Sequence, residues 1–559
     1  WPFYGFKDYT AVVRQVARRY ALGSVGVLEL GEEFVNGRRW MRRLYTYAAD
    51  GKTCVDDLIE QADEGFVVDV EPVRAAVPAD AIEIAFPPEA REAANMLERV
   101  LAEAGVAAKP VAEATSDNAI RLELVDTSGI NIERDGFEIR SVNDALSIRA
   151  RTPLGLDQAV RRIAADVRLH GLDTGFPLIA RNPVVPLRVG GFGGGPFEVD
   201  FPYGTDEEWE RTFDGLLDSG MNTFCCLGMW GNWKLPISYT HMPEIRSEDA
   251  QAYDESSGVL FSELDKHRAH GLKLTQYLHD RGARVWDWVP IGCVPTTFAK
   301  RYPEAMSTIG ETRGQQAAPC FTHPTYRNYL DAFLKELVET YALDGVFLVR
   351  DDNGGLCACE RCQAYVAESR TKDAVWEQYL YIYDRLRELG FTGAICVYPY
   401  FDGYVPAKLE PHLPEDLFVG GHGASAALLT RDLARVGPMA DTWLDNLYMN
   451  FRLPPSPRMR RLLSDRCSFW IGGAYCGTEL PWEAIGYFGW EPTATPNTFR
   501  YEWGARTFGR ENALAFLAVS DAYERLWEIN ARSMLPRAWM ELDPAQRTRV
   551  TEEASALVS

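Results

Sequence analysis

The sequence lacks any apolar run that approaches the ~18 residues of a membrane-spanning helix, which excludes a membrane-spanning protein. Basic residues are outnumbered, because 58 Lys and Arg stand against 80 Asp and Glu, a formal net charge of −22. Such a surface repels phosphate backbones and anionic lipids. Nucleic acids and membranes are therefore not expected as partners, and a neutral or cationic small substrate is favoured.

The sequence also has few features of a disulfide framework, a catalytic metal site or a phosphate-binding loop. The 11 cysteines are odd in number and mostly scattered, which favours a reducing, cytoplasmic compartment over a disulfide framework. A trimmed secretory leader stays open as an alternative, because the sequence starts at Trp1 rather than at a methionine. The eight histidines form no cluster that would provide a catalytic metal site. The glycine-rich segment 190–195 is not followed by the Lys-Ser/Thr pair of a phosphate loop.

The patterns that are present divide the 559 residues into four parts. Residues 1–80 carry two short candidate strands, 24–29 and 42–48, and no recognisable chemistry. Residues 81–180 read as a small α+β module, and residues 497–559 read as helical. In residues 181–496, eight short apolar strand cores alternate with helical stretches, which predicts an α/β fold, a (β/α)8 TIM barrel, with an open doubly wound sheet as the alternative. The predicted strand cores are 187–192, 222–227, 283–290, 345–350, 394–399, 417–421, 442–447 and 468–474.

Two adjacent carboxylates, Asp351 and Asp352, directly follow the fourth strand core. In a TIM barrel the active site lies at the carboxyl ends of the strands. Like charges this close raise the pKa of one carboxyl, which leaves one group ionised and one able to act as an acid near neutral pH. A loop cap that binds backbone amides is the alternative interpretation, and the position in the barrel favours catalysis.

Aromatic and polar residues accompany several other strand cores. A pyranose needs this combination, because an aromatic face stacks on the C–H side of the ring and carboxylates accept hydrogen bonds from the hydroxyls. Each aromatic residue on its own is more often part of the core, so the coincidence at several strands carries the prediction. The candidate substrate-binding residues are Arg188, Trp230, Trp286, Asp287, Tyr398, Tyr400, Asp445, Asn446, Tyr475 and Glu479.

This layout resembles the retaining β-N-acetylhexosaminidases, most closely glycoside hydrolase family 84, with families 20 and 67 as more distant relatives. Gly191-Phe192-Gly193 stands where family 84 has a Gly-Phe-Tyr-Gly segment, and Met221-Asn222-Thr223 matches the start of the second strand. Asp351-Asp352 and Asp445-Asn446 match the pairs after the fourth and seventh strands. The missing tyrosine, and Leu227-Gly228-Met229-Trp230 in place of a charged run, indicate a divergent or new family.

The resemblance implies hydrolysis of GlcNAc or GalNAc glycosides by substrate-assisted catalysis, in which the 2-acetamido oxygen of the sugar attacks the anomeric carbon and forms an oxazoline. It implies that Asp351 orients the acetamido N–H and that Asp352 protonates the leaving oxygen and then deprotonates water. Asp445 and Asn446 would bind hydroxyls or the acetamido group, and Tyr398 or Tyr400 would donate to the acetamido oxygen. None of these steps needs a metal or an organic cofactor.

Two alternative functions stay open on the same scaffold. Residues 487–492, followed by residues 503–509, resemble the junction before the helical domain of α-glucuronidases. A uronidase needs basic groups for the sugar carboxylate, and Arg188 and Arg350 are candidates. The other alternative is an inactive carbohydrate-binding barrel, which the intact acidic pair disfavours.

Three cysteines, Cys357, Cys359 and Cys362, lie within six residues shortly after the acidic pair. Three thiolates and a fourth ligand make a closed structural zinc site. Cys320, Cys293 and His323 are the candidate fourth ligands. Three reduced thiols in a packed loop are the alternative.

Overall fold

The structure is a computed structural model, and the residues that it describes cover most of the first three-quarters of the chain and parts of the rest. These residues are 24–30, 41–48, 54–61, 74–77, 82–116, 119–126, 135–142, 145–183, 185–192, 205–226, 235–254, 259–292, 294–307, 318–350, 357–398, 412–422, 436–439, 469–472, 486–490, 496–519 and 548. The strands and helices of the architecture lie within these ranges.

Twenty-one strands form five sheets in the described part of the chain. The strands before the barrel are β1 (Ser24–Leu30), β2 (Met41–Ala48), β3 (Cys54–Gln61), β4 (Arg74–Ala75), β5 (Ile82–Ala85), β6 (Ala108–Val111), β7 (Ile120–Leu124), β8 (Phe137–Val142), β9 (Ala145–Ala150), β10 (Phe176–Pro177) and β11 (Ile179–Arg181). From the barrel onward they are β12 (Leu187–Phe192), β13 (Thr223–Cys226), β14 (Tyr253–Asp254), β15 (Val259–Leu260), β16 (Arg284–Ile291), β17 (Gly345–Arg350), β18 (Ala394–Tyr398), β19 (Leu417–His422), β20 (Val436–Met439) and β21 (Phe469–Gly472).

Nine α-helices lie over their full length in the described part of the chain, and four of them begin at a residue whose side chain accepts a backbone N–H group of the first turn. They are α1 (Arg91–Glu103), α2 (Pro153–His170), α3 (Asp206–Asp218), α4 (Leu264–Asp280), α5 (Thr296–Arg301), α6 (Pro324–Thr340), α7 (Glu360–Glu368), α8 (Ala374–Glu388) and α9 (Pro496–Phe508). Thr205 and Glu208 form a reciprocal capping box at the start of α3, and Asp373 accepts two backbone N–H groups at the start of α8. No helix among the described residues is both long enough and apolar enough to cross a bilayer.

Three sheets precede the barrel, and the smallest is the antiparallel pair of β4 and β10. Strands β1, β2 and β3 form a three-stranded antiparallel sheet, of which the sequence analysis anticipated only the first two strands. Strands β5 to β9 and β11 form a six-stranded mixed sheet in the order β11-β8-β9-β7-β5-β6. Helices α1 and α2 pack on it, and Leu97, Ile120, Ile148 and Ile163 are fully buried between the layers. This apolar core is separate from that of the barrel.

The eight barrel strands close into a ring of parallel strands, as predicted from the strand–helix alternation. Their order is β12-β13-β16-β17-β18-β19-β20-β21, and β21 pairs with β12 to close the barrel. Strand residues facing the helices, such as Val285, Val346 and Ile395, join the helix side chains in one large core. The described part of the C-terminal region, residues 496–519, is largely helical.

The seventh barrel strand lies earlier in the chain than the sequence analysis predicted. The structure places it at Val436–Met439, where it pairs with β19 and β21, whereas residues 442–447 lie outside the described residues. The strand contains Gly437-Pro438, a pair that normally indicates a turn. Asp445 and Asn446 therefore come six and seven residues after the last residue of this strand, whereas the predicted strand core 442–447 contained both.

Helix α2 of the six-stranded module fixes this module to the barrel through Arg161. The guanidinium donates hydrogen bonds to the carboxylates of Asp157 at 2.6 Å, Asp214 at 2.8 Å and Asp218 at 2.5 Å, the last two from α3. Its side chain is 4% exposed, so the charge is buried but surrounded by three carboxylates. Buried charges are tolerated when they are paired in this way.

Candidate functional site

In a TIM barrel the active site lies at the carboxyl ends of the barrel strands. Strand β17 ends at Arg350, which pairs with Ile291 at the end of β16, and β18 ends at Tyr398. The residue after Arg350 in the sequence is Asp351, so the acidic pair follows a barrel strand end, as the sequence analysis assumed. Asp351 and Asp352 themselves lie outside the described residues, and Tyr398 is described for its backbone only.

The lumen of the barrel is lined by aromatic rings and thiols in its described part. Trp286 on β16 and Phe418 on β19 approach to 6.5 Å although these strands are not neighbours, so both rings point inward. Trp288 lies on the same face of β16 as Trp286, two residues closer to the carboxyl end of the strand. Its ring centroid is 5.8 Å from that of Phe347. These rings occupy the described part of the lumen below the strand ends.

Trp286 and Asp287 do not occupy the strand end where the sequence analysis put them. Strand β16 continues to Ile291, so both residues lie inside the strand. Trp286 is fully buried, and a side chain at Gly345 would meet its indole nitrogen at 2.3 Å, so glycine is required there. Asp287 is also fully buried, and it accepts a hydrogen bond from the backbone N–H of Leu235 at 3.4 Å. The structure therefore places both residues inside the strand and not at its end, with Trp286 on the lumen face and Asp287 on the opposite face.

Arg188 lies at the opposite end of the barrel from the predicted mouth. It is the second residue of β12 and is fully buried. Its guanidinium donates to the backbone oxygens of Gly220 and Val185, each at 2.6 Å, and lies 5.1 Å from the Trp490 ring. Burial lowers the pKa of Arg188 to about 10, while Asp135, 3.7 Å away, opposes that shift, so the side chain stays charged at neutral pH. The prediction that Arg188 binds substrate is therefore corrected to a structural role.

We expect Arg188→Met to lower the free energy of unfolding by about 3–5 kcal/mol, because it removes one partner of a buried charge pair. The folded fraction should keep its activity, since Arg188 is remote from the strand ends. Urea unfolding followed by tryptophan fluorescence measures the first quantity. The matched control is Arg370→Ala, which breaks an exposed ion pair with Asp384 and should cost only about 0–1 kcal/mol. Unchanged stability together with lost activity would return Arg188 to the substrate site.

Cys225 on β13, which faces the lumen, is not an activated nucleophile. Cys225 is fully buried, and burial, with a smaller contribution from Asp287, raises the pKa of its thiol well above the ordinary value. A thiol attacks only as the thiolate, so Cys225 stays unreactive at neutral pH. TIM-barrel enzymes hold their catalytic groups in the segments that follow the strand ends.

Most of the remaining predicted site residues fall in those segments, outside the described residues. Besides Asp351 and Asp352, these are Trp230, Tyr400, Asp445, Asn446, Tyr475 and Glu479, together with the candidate zinc ligand Cys293. Their roles remain predictions from the sequence and the resemblance.

Four cysteine sulfurs meet between two barrel loops. Cys320 precedes α6 in the loop after the third barrel strand, and Cys357, Cys359 and Cys362 follow the fourth strand, Cys359 being the N-cap residue of α7. The four sulfurs lie within 4.8 Å of one another, and none of these cysteines is in a disulfide. His323, one of the alternative fourth ligands, instead accepts the backbone N–H of Thr325 at the start of α6.

Polar groups surround the four sulfurs. The hydroxyl of Thr322 lies 3.1 Å from the Cys362 sulfur and 3.7 Å from the Cys320 sulfur, and the Arg361 guanidinium is 3.9 Å from Cys320. Burial raises the pKa of the Cys362 thiol to about 12, while hydrogen bonds from Thr322 lower it. The three clustered cysteines and the candidate Cys320 are predicted from the sequence, whereas Thr322 and Arg361 have no signal in it.

Comparison with solved structures finds this fold in glycoside hydrolases at low sequence identity. A family 138 enzyme that targets the pectin rhamnogalacturonan II aligns over 81% of this chain and 70% of its own, with a TM-score of 0.57 and 15% identity. The family 20 exo-β-N-acetylglucosaminidase of Vibrio harveyi, in complex with N-acetylglucosamine, aligns over 86% and 84%, with a TM-score of 0.54 and 13% identity. The family 20 chitobiase of Flavobacterium johnsoniae aligns over 82% and 73%, with a TM-score of 0.56 and 14% identity. No protein-family model matches the chain, and no curated protein matches it.

Proposed function

We propose that this protein is a glycoside hydrolase, and that it acts as a retaining exo-β-N-acetylhexosaminidase on GlcNAc or GalNAc glycosides. One observation carries the proposal: the fourth strand of a closed parallel barrel ends at Arg350, one residue before the Asp351-Asp352 pair. The carboxyl ends of barrel strands are where TIM-barrel enzymes hold their catalytic groups. The shared fold with family 20 hexosaminidases supports the substrate class.

The proposed reaction divides the work between the two carboxylates. The carboxylate of Asp351 accepts the acetamido N–H of the sugar, which turns the acetamido oxygen toward the anomeric carbon. As this oxygen attacks, the carboxyl of Asp352 donates its proton to the leaving oxygen, and a protonated oxazoline forms whose N–H stays hydrogen-bonded to the Asp351 carboxylate. The Asp352 carboxylate then removes a proton from water, which opens the oxazoline with net retention. Asp445, Asn446 and a tyrosine at 398 or 400 hold the sugar in this scheme.

A panel of 4-nitrophenyl glycosides tests the proposal. We expect release of nitrophenol from the β-GlcNAc or β-GalNAc glycoside, and none from the β-glucoside, α-glucuronide or β-glucuronide. The double variant Asp351→Asn/Asp352→Asn, purified in the same way, is the control for contaminating hexosaminidase and should be inactive. Hydrolysis of a uronide or a neutral glycoside, with no hydrolysis of either N-acetyl sugar, would overturn the proposal.

A second candidate function is an exo-glycosidase for another sugar, which the fold shared with the family 138 enzyme supports. For a uronic acid substrate, the sequence offered Arg188 and Arg350 as partners of the sugar carboxylate. Arg188 is buried at the amino-terminal end of β12, so only Arg350 remains. This loss makes the N-acetyl substrate the better supported of the two.

A further inference from the structure

We propose that Cys320, Cys357, Cys359 and Cys362 bind one structural Zn²⁺ ion, which fastens together the loops that follow the third and fourth barrel strands. The site is independent of the proposed reaction, because no step of that reaction uses the metal. Three of the ligands come from one short segment, and Cys320 comes from a separate loop 37 positions earlier in the chain. The zinc ion would therefore act as a cross-link within the fold.

The distances between the sulfurs fit a single tetrahedral ion. Metal–sulfur bonds of about 2.3 Å in a tetrahedron place neighbouring sulfurs about 3.8 Å apart. The Cys320 sulfur lies 3.7 Å from that of Cys359 and 3.5 Å from that of Cys362, and all four lie within 4.8 Å of one another. An iron–sulfur cluster distributes its four cysteines over two or four iron atoms, so at least some of the sulfurs lie much farther apart than the four found here.

The surroundings are suited to a site that carries excess negative charge. Four thiolates around Zn²⁺ leave a net charge of −2, which hydrogen-bond donors must offset in a buried place. The Thr322 hydroxyl, 3.1 Å from Cys362, and the Arg361 guanidinium, 3.9 Å from Cys320, are placed to donate. Cys359 occupies the N-cap position of α7 and Cys362 lies in its first turn, where the helix dipole favours anions. Binding converts four thiols to thiolates and releases four protons, with no change of oxidation state.

The scaffold holds the two halves of the site in place. Next to Cys320, the ring of Phe321 lies 5.1 Å from the guanidinium of Arg327 on α6. The same guanidinium lies 4.9 Å from the ring of Tyr365 on α7 and 4.7 Å from that of Tyr381 on α8. Cation–π contacts thus join the loop before α6 to α7 and α8. Cys357 comes five residues after Asp352, so the metal would anchor the end of the segment that carries the acidic pair.

Metal analysis of the full-length protein tests the inference. After purification without added metal and dialysis against a weak chelator, elemental analysis should find one zinc per chain. Cys359→Ser should lose this zinc, and it is the first choice because Cys359 is the least buried of the four. The matched control, Cys396→Ser, replaces a buried cysteine of β18 outside the cluster and should keep one zinc per chain. Thr322→Val should retain the site but weaken zinc binding about 10–100-fold in competition with a chelator.

Cobalt substitution gives a second readout that does not depend on activity. Protein refolded or exchanged with Co²⁺ should show the intense visible bands of a tetrahedral thiolate site, and Cys359→Ser should lose them. A protein without zinc, one that contains iron instead, or one with disulfides among the four cysteines would overturn the inference. Equal zinc content in Cys359→Ser and in the unaltered chain would also overturn it. Failure of the glycosidase panel would leave these results unaffected, so the two proposals can fail separately.

Discussion

Replacing Asp352 by asparagine is expected to lower kcat/KM about 10²–10⁴-fold for N-acetylhexosaminides with poor leaving groups, such as a disaccharide. An asparagine cannot protonate the leaving oxygen, and an alkoxide leaves slowly without a proton. A dinitrophenyl glycoside needs little protonation, so it should keep much of its first-step rate. Steady-state kinetics over a series of aryl glycosides measures this dependence on the pKa of the leaving group.

Azide provides a chemical check of the Asp352 role. The second step needs a base to deprotonate water, whereas an anion attacks the oxazoline without one. Added azide should therefore restore turnover of the Asp352→Asn variant with good leaving groups and produce a glycosyl azide. Asp384→Asn, an exposed aspartate on α8, is the matched control and should keep both activity and leaving-group dependence. Full activity in Asp352→Asn would mean that the residue is only a loop cap.

Replacing Asp351 by asparagine should slow good and poor leaving groups alike, by about 10²-fold or more. The internal nucleophile is misaligned in both cases, and small errors in the position of a reacting group carry costs of this size. Azide should not rescue this variant, because the defect lies in the first step. The measurement is the same aryl glycoside series, so the two variants are compared directly.

If the two variants showed the opposite dependence on the leaving group, the catalytic roles of Asp351 and Asp352 would be exchanged. Adjacent side chains on an extended segment point to opposite sides, and only one of the pair shares a face with the lumen while the segment continues the strand. Steep leaving-group dependence in Asp351→Asn and a uniform loss in Asp352→Asn would identify Asp351 as the acid. Full activity in both variants would remove the pair from the mechanism.

The barrel could be predicted from sequence because its signal is repeated eight times. Each strand core is short and apolar, and most are followed by a helix, so a single misplacement does not change the fold. The seventh strand was misplaced because Gly437-Pro438 indicates a turn, whereas residues 442–447 have the composition of a strand. The closed ring of hydrogen bonds places a strand at Val436–Met439 in spite of its poor local propensity.

The site residues were harder to predict, because a shift of a few residues moves a side chain from the mouth to the interior. The third strand continues through Pro290, a residue that is unusual inside a central strand, and ends at Ile291. Trp286 and Asp287 therefore lie below the mouth and on opposite faces of the strand. Arg188 was misjudged for a related reason, since it lies near the start of its strand, where the six-stranded module packs.

The spacing of cysteines in the sequence predicted three members of the cysteine cluster but could not identify the fourth. Cys357, Cys359 and Cys362 are close in sequence, so their proximity in space was expected. Spacing could not choose among Cys320, Cys293 and His323, because that choice depends on how the third loop packs against α6 and α7. The contacts of Phe321 with Arg327 and of Thr322 with Cys362 bring Cys320 to the cluster.

The stereochemistry of the first product tests the central claim most directly. Proton NMR of the reaction with 4-nitrophenyl β-GlcNAc, recorded before mutarotation, distinguishes the two anomers of the released sugar. An oxazoline intermediate requires two inversions at the anomeric carbon, so the β-anomer should appear first. Initial formation of the α-anomer would show a single displacement by water, and it would contradict substrate-assisted catalysis by the Asp351-Asp352 pair.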